Sequence, residues 1–369
     1  MGAANVCEMV FVIFTLILLG YYIFIWKKLA FFKSEDNEFK ELPFVSVIIC
    51  AKNEKDNLTK FLPEILNQNY PDFEVIVVDD NSEDGSSEIL NKFSVIHDNL
   101  KPFKFQKHKK SFGKKEVLEF GIDQAISDYL IMTDADCMPN SKYWLLEMVN
   151  GFSDGSELVL GVGQYERDNT WINKLIQLDT GFIALNYLSF ALVKFPYMSV
   201  GRNVGYKKDL YRKVGGFKSH YDIPSGDDDI FVNEISRTTK ISIVTSLQGQ
   251  TTSVPKSDFK SFFTQKVRHV SAGLKYNKLN LFFLSLFYSI SGLWYLSLPF
   301  VIYYSDQLIV FLTVVTLKKL TMYALINRIF SKIGLSVSSM TILLTDFVSV
   351  FVHNIAVLVT TIKSKEGKW

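Results

Sequence analysis

The sequence predicts an α/β fold: a mostly parallel, doubly wound sheet set between apolar segments long enough to enter a membrane. Three observations carry this. Between about Glu41 and Lys278, short apolar runs alternate with helical stretches, the pitch of strand–helix–strand units. The clearest of those runs end in acidic or amide residues, as strands do when their carboxyl ends open onto a ligand site. Both ends of the chain are apolar over the roughly 20 residues that a bilayer crossing needs.

Composition narrows the function. The 369 residues are 48% hydrophobic and include 31 Phe, an excess concentrated at the two ends. The net charge of +2 makes no electrostatic case for nucleic acid. The cysteines, Cys7, Cys50 and Cys137, have no paired spacing, so neither a disulfide framework nor a zinc site is expected and a reducing compartment fits.

Val6 to Trp26 is nearly uncharged. It lacks the basic start and small-residue cleavage site of a signal peptide, so it is read as a retained anchor. Lys27, Lys28 and Lys33 follow at once, which places the next domain in the cytoplasm. Val45 to Ala51 is a buried strand, and Asn53-Glu54-Lys55-Asp56-Asn57 starts a helix from Leu58 to about Gln68. Phe73 to Val78 is the next strand. It ends in Asp79-Asp80-Asn81-Ser82, and Glu83-Asp84-Gly85 opens another helix. Carboxylates there can accept hydrogen bonds from a base or a ribose, or simply cap a helix.

The basic run Lys107-His108-Lys109-Lys110-Ser111 leads into Gly113-Lys114-Lys115-Glu116. A glycine and a lysine at a helix start suit an anionic ligand, although a solvated basic face has the same composition. The earlier glycine of a Walker A loop is missing. Tyr129 to Met132 is the most hydrophobic strand, and Asp134 and Asp136 stand at its carboxyl end. Two carboxylates cannot be buried bare; spaced i, i+2, they can share a hard divalent ion that also holds a diphosphate.

Ser199 to Tyr206 places glycines and Arg202 in a loop, and Val214-Gly215-Gly216-Phe217 is a structural turn. In Ser225-Gly226-Asp227-Asp228-Asp229 mutual repulsion raises the pKa of at least one carboxyl, which suits a general base; an acidic N-cap is the simpler alternative. Gln265 and Arg268, with His269 beside them, share a helix face. They can close over a diphosphate or meet acidic lipid.

Three further apolar segments follow: Leu281 to about Tyr304, Gln307 to about Leu325 and Val337 to about Ile362, the last interrupted by Asp346 and His353. Lys318 to Lys332 is basic and suits the membrane interface. The tail, with Lys363, Lys365 and Lys368, prefers the cytoplasm, so one of the three is expected to be re-entrant or interfacial. The domain reading is an anchor at 1–30, a catalytic domain at 41–278 and a membrane region at 279–369 with two to three transmembrane or interfacial helices.

Taken in order, these motifs resemble a membrane-bound family 2 inverting glycosyltransferase of GT-A fold, with features of the cellulose-synthase-like, processive branch. The likeness runs from about Pro43 to Gly273. It includes the strand ending at Asn53-Glu54, the Val-Val-Asp-Asp-Asn-Ser segment, the Gly-Lys helix start, Asp-Ala-Asp, the Gly-Gly-Phe turn, Gly-Asp-Asp-Asp and Gln-x-x-Arg-His. The resemblance implies transfer from a nucleotide-diphosphate sugar, with UDP favoured, and Mg²⁺ or Mn²⁺ as cofactor.

On that pattern Asp79 and Asp80, with Asn53 and Glu54 nearby, hold the uridine, and Lys114 the nucleotide or diphosphate. Asp134 and Asp136 bind ribose and metal. Asp228, with Asp227 next to it, takes the acceptor proton; Arg268, Gln265 and His269 serve the leaving diphosphate. The implied acceptor is lipid-linked or a polysaccharide, at the cytoplasmic face of the inner membrane, in a multi-pass protein in contact with membrane lipids. Two alternatives stand beside it: direct glycosylation of ceramide or diacylglycerol, and a non-catalytic partner in an export complex. Two departures mark the chain: His269 replaces the usual tryptophan, and Asp229 leaves the base ambiguous by one residue.

Overall fold

The computed structural model describes residues 3–34, 38–106, 113–223, 226–235, 237–335 and 337–365. They fall into two compact units. One gathers 33–166 and 194–255, the other 1–32, 167–193 and 256–369. The expected 41–278 domain is therefore divided, and two of its helices belong to the second unit.

The first unit is built on strands β1 Val45–Ala51, β2 Phe73–Asp79, β3 Leu100–Lys104, β4 Tyr129–Met132, β5 Cys137–Pro139, β6 Leu158–Leu160, β7 Gly163–Tyr165, β8 Val204–Lys207, β9 Ile241–Ile243 and β10 Thr251–Ser253. The main sheet runs β3-β2-β1-β4-β8-β6-β9; β5-β10-β7 form a small second sheet. β1 pairs parallel with β2 and β4, and β2 with β3, while β8 runs antiparallel to β4 and β6. β1 and β2 are buried almost throughout, which is why they read as unbroken apolar runs rather than as alternation.

Register sets up the site. Ala51 pairs with Asp79, and Ile48 with Met132, so the loops after β1, β2 and β4 leave the sheet along one edge. Because β8 is reversed, Val204 pairs with Met132 and the loop before β8 enters at that same edge. Helix Lys55–Leu66 buries Leu58, Leu62 and Ile65, and helix Trp144–Asn150 buries Trp144, Leu145 and Met148, in the core of this sheet. Each such side chain contributes about 1.5–3 kcal/mol by leaving water.

The second unit is helical. Ala3–Tyr21 passes through a π turn, Tyr22–Trp26, and ends at Ala30. Trp171–Leu192, the amphipathic Phe259–Gly273, Lys278–Tyr304, Leu308–Lys332 and Ser339–Lys365 complete it. Among the described residues four helices are long and apolar enough to cross a membrane: Val6–Ala30, Trp171–Leu192, Lys278–Tyr304 and Leu308–Lys332.

Three segments take a form that the local sequence did not show. Trp171–Leu192, read as part of a soluble domain, is a membrane-length helix. Its polar residues Asn173, Gln177, Asp179 and Asn186 lowered the hydropathy signal, yet it is buried on nearly all sides. Lys318–Lys332 is the second half of one continuous helix, Leu308–Lys332, and Lys318 itself is buried. Asp346 and His353 do not interrupt the last helix, although its apolar stretch, Asp346–Ile362, is shorter than the other four.

Candidate active site

The sheet edge collects the acidic residues anticipated from the strand ends. After β1, Asn53 adopts a positive φ of 56°, a left-handed conformation that Asn tolerates better than most side chains. Its Oδ1 accepts from the Glu83 amide, and its own amide donates to Ser82 Oγ, both at 2.9 Å. These bonds tie the loop after β1 to the loop after β2. Glu54 accepts from Asn57 Nδ2 at 2.5 Å. Burial, and then the charges of Asp136 and Asp134, raise its pKa, so its carboxyl lies within their electrostatic reach.

Asp79 is 2% exposed, and its two oxygens accept from the Ser82 amide and the Ser87 hydroxyl. Its carboxylate is committed to the turn that presents Asp80. Asp80 is also buried, and Lys52 lies 3.7 Å away.

Lys114 joins the two halves of the site. Its Nζ lies 2.7 Å from Asp134 Oδ1 and 3.1 Å from Asp227 Oδ2. Burial alone depresses an ammonium, but here the facing carboxylates Asp134 and Asp227 outweigh it and hold Lys114 well above its usual range. The preceding Lys107–Ser111 run, and Ser225 of the acidic motif, lie outside the described residues.

Asp134, Asp136 and Cys137 place one ligand atom each within 4.8 Å of one another. Burial, then repulsion by Asp134, raises the pKa of Asp136. Burial, then the same two carboxylates, push the Cys137 thiol well up, and its soft sulfur suits a hard ion less than the two carboxylates do. Asp134 and Asp136 offer a pair of hard oxygen donors whose repulsion Lys114 relieves only in part, which fits a divalent ion such as Mg²⁺ or Mn²⁺.

Asp228 is placed by backbone. Its Oδ2 accepts from the Gly201 amide at 2.7 Å and its Oδ1 from the Asp229 amide at 2.8 Å. A Cβ on Gly201 would stand 3.3 Å from Lys114 Nζ and 3.4 Å from Asp228 Oδ2, so the loop passes close to both groups. Burial, then the Asp227 charge, pushes Asp228 up to about 6. Asp229 turns away: it is buried and its Oδ1 accepts from the Ile230 amide. Asp228 shares a pocket with Lys114, Asp134 and Asp227; Asp229 does not line it.

Two residues absent from the sequence-derived site belong to its frame. Arg202 donates to the Gln164 carbonyl at 3.0 Å and to Ser253 Oγ at 2.9 Å, and lies over the Tyr165 ring. Its loop is pinned by Asn203, which is fully buried and bonded to Trp144, Val162 and Gly249. Lys115, 0% exposed, donates to the carbonyls of His220 and Ile223 and so holds the segment leading to Asp227 and Asp228. A glycine–arginine loop and a doubled lysine were visible in the sequence, but nothing in it said which way they face. Gln265, Arg268 and His269 lie on helix Phe259–Gly273 of the helical unit, with Arg268 and His269 exposed.

Comparison with known proteins agrees with this geometry. The family description "Glycosyl transferase family 2" matches residues 46–215. Over 195 residues the chain is 33% identical to the glycosyltransferase AglE of Haloferax volcanii, covering 50% of this chain and 59% of that protein. Over 133 residues it is 31% identical to the poly-beta-1,6-N-acetyl-D-glucosamine synthase of Staphylococcus epidermidis, covering 34% and 31%. In both cases the match spans less than two thirds of the relative's length. Among solved structures, the mannosyltransferase PcManGT from Pyrobaculum calidifontis, in complex with GDP-Man and Mn²⁺, superposes with a TM-score of 0.56 at 16% identity, covering 97% of this chain and 96% of that one. The likeness bears out the expected fold.

Proposed function

We propose that this chain, a family 2 glycosyltransferase with membrane-length helices, moves a sugar with inversion from a nucleotide-diphosphate donor, UDP favoured, to a lipid-linked or polysaccharide acceptor. The observation that carries this reading is a raised carboxyl, Asp228, in one pocket with Lys114, whose ammonium pairs with both Asp134 and Asp227.

On this reading Asp228 accepts the proton of the acceptor hydroxyl. The freed oxygen bonds to C1 of the sugar as the bond from C1 to the diphosphate breaks on the opposite face. A base near neutrality is what a weak nucleophile needs. Gly201 and Asp229 amides hold the carboxylate in place, and Asp227 keeps Lys114 directed toward the diphosphate side. Asp134 and Asp136 would hold the divalent ion, which when bound supplies positive charge to the leaving diphosphate. Asp80, presented by the Asp79 turn, with Asn53 and Glu54, serves the nucleoside. Gln265, Arg268 and His269 add charge and hydrogen bonds to the diphosphate. Lys27, Lys28 and Lys33 support a cytoplasmic location for the catalytic unit, at the inner membrane.

The test is nucleotide release by purified protein in nanodiscs, with a panel of UDP- and GDP-sugars, Mn²⁺ or Mg²⁺, and added membrane lipid extract. Metal-dependent release from one donor, lost in Asp228→Asn, is the expected result. Release that survives Asp228→Asn removes the assigned base. Label recovered in simple glycolipid rather than in larger glycan would move the acceptor to ceramide or diacylglycerol.

A further inference from the structure

The amphipathic helix Phe259–Gly273 carries Gln265, Arg268 and His269, and four of its residues are buried: Phe262, Lys266, Val267 and Ala272. Three of these are apolar; Lys266 is not. It is 6% exposed, and its ammonium pairs with the carboxylate of Asp179, itself 7% exposed, on helix Trp171–Leu192. Two further helices of the same unit stand close to the pair. Tyr288, on Lys278–Tyr304, lines a small cavity together with Asp179. Its ring stacks at 3.6 Å on that of His353, on Ser339–Lys365, which lies within electrostatic reach of Lys266. From that last helix the buried Thr360 hydroxyl donates to the Val267 carbonyl at 3.4 Å.

A buried pair of this kind adds little net stability. Taking both charges out of water costs about as much as their attraction returns, and a packed apolar pair of similar volume is often as stable. What the pair has, and apolar contact lacks, is direction. Burial of Phe262, Val267 and Ala272 is a non-directional force; the bond from Lys266 to Asp179 forms in one register. A slip of one residue turns a helix by about 100°. It would leave both charges bare among long apolar helices, where that is costly. Arg268, two residues after Lys266, stands about 200° around the helix and is exposed. The buried lysine therefore fixes which residues this helix turns away from the bundle.

We propose that the Lys266–Asp179 pair is a positioning device for glycosyl transfer: it locks the register of helix Phe259–Gly273 and so sets where Gln265 and Arg268 stand. This rests on the reading in which those two residues serve the leaving diphosphate. Lys266 and Asp179 touch no substrate; they act through the helix. Were stability the only demand, apolar residues at both positions would meet it.

Variants of the full-length chain in nanodiscs test this by amide hydrogen exchange over residues 259–273, melting temperature and nucleotide release from the same panel of UDP- and GDP-sugars. Lys266→Met or Asp179→Leu alone strands a buried charge and should lower the melting temperature most. The double variant, Lys266→Met with Asp179→Leu, should melt within a few degrees of wild type. Even so, its helix should exchange about tenfold faster, and kcat should fall on the order of 10²-fold, the cost of a misplacement of about 1 Å. The split between kcat and KM should match that of Arg268→Ala, whose exchange stays normal. The reversed pair, Lys266→Asp with Asp179→Lys, should recover both protection and turnover. Wild-type exchange in the double variant would overturn the lock. Faster exchange with normal kcat, while Arg268→Ala lowers kcat, would overturn the positioning role. Normal kcat in Arg268→Ala would count against the diphosphate reading instead, and exchange then decides the lock by itself. Should the double variant not fold, Asp179→Asn replaces it: the amide keeps the volume and loses the ion pair, and the same readouts apply.

Discussion

The sheet unit and the helical unit each hold a cluster of ionisable groups, and the two are balanced differently. At the sheet edge, Glu54, Asp134, Asp136, Asp227 and Asp228 face Lys114 and Arg202. Negative charge is in excess, which suits a divalent cation. In the helical unit, Lys266 pairs with Asp179 and Lys319 with Asp346. The surroundings differ as well. The strand-end carboxylates keep partial access to water, with Asp134 34% exposed, whereas Lys318 is 1% exposed. Carboxylates near water can be held in excess until a cation arrives; charges packed between helices are paired within the bundle.

The comparison can be broken at several points. Asp228→Asn should have the largest effect, a loss of about 10³-fold in kcat with donor affinity largely kept, within the range general bases contribute; single-turnover rates beside donor titrations decide it. Asp136→Ala reduces the negative excess. It should weaken metal-dependent donor binding by about 10²-fold, and chelation of wild type with EDTA should do the same until Mn²⁺ or Mg²⁺ is restored.

The pH dependence sharpens the same contrast. Asp228 must be ionised to act, so kcat/KM should fall about tenfold per pH unit below its midpoint. That midpoint is at about 6, or lower once a cation occupies the Asp134–Asp136 pair. Stability moves the other way. A carboxyl whose folded pKa is raised stabilises the fold when protonated, and this contribution is lost as pH rises from about 4 to about 6. Activity and melting temperature measured over one pH series should cross.

The smallest effect expected is that of Lys115→Met. It strands the carbonyls of His220 and Ile223 at about 1–3 kcal/mol. The drop in melting temperature should come with a lower kcat and a near-normal donor affinity, because the held segment leads to Asp228 rather than to the nucleoside side.

By itself the amino-acid sequence determined the sheet edge. A strand buried on both faces must be one apolar run, and its end must be polar. β1, β2 and β4, with Asn53, Glu54, Asp80, Asp134 and Asp136 after them, were therefore legible without coordinates, as was the acidic turn around Asp228. Tertiary structure decided which of those groups meet. Lys114, Asp134 and Asp227 come together only because β4 pairs with β1 on one side and with reversed β8 on the other. It also decided that Asp79 serves a turn, that Asp229 faces away and that Arg202 and Lys115 frame the site. In the helical unit it turned a polar-looking segment, Trp171–Leu192, into a buried membrane-length helix and placed Lys318 inside the bundle. Local pattern reports how a residue suits its own strand or helix; whether its charge is answered depends on partners brought from elsewhere in the chain.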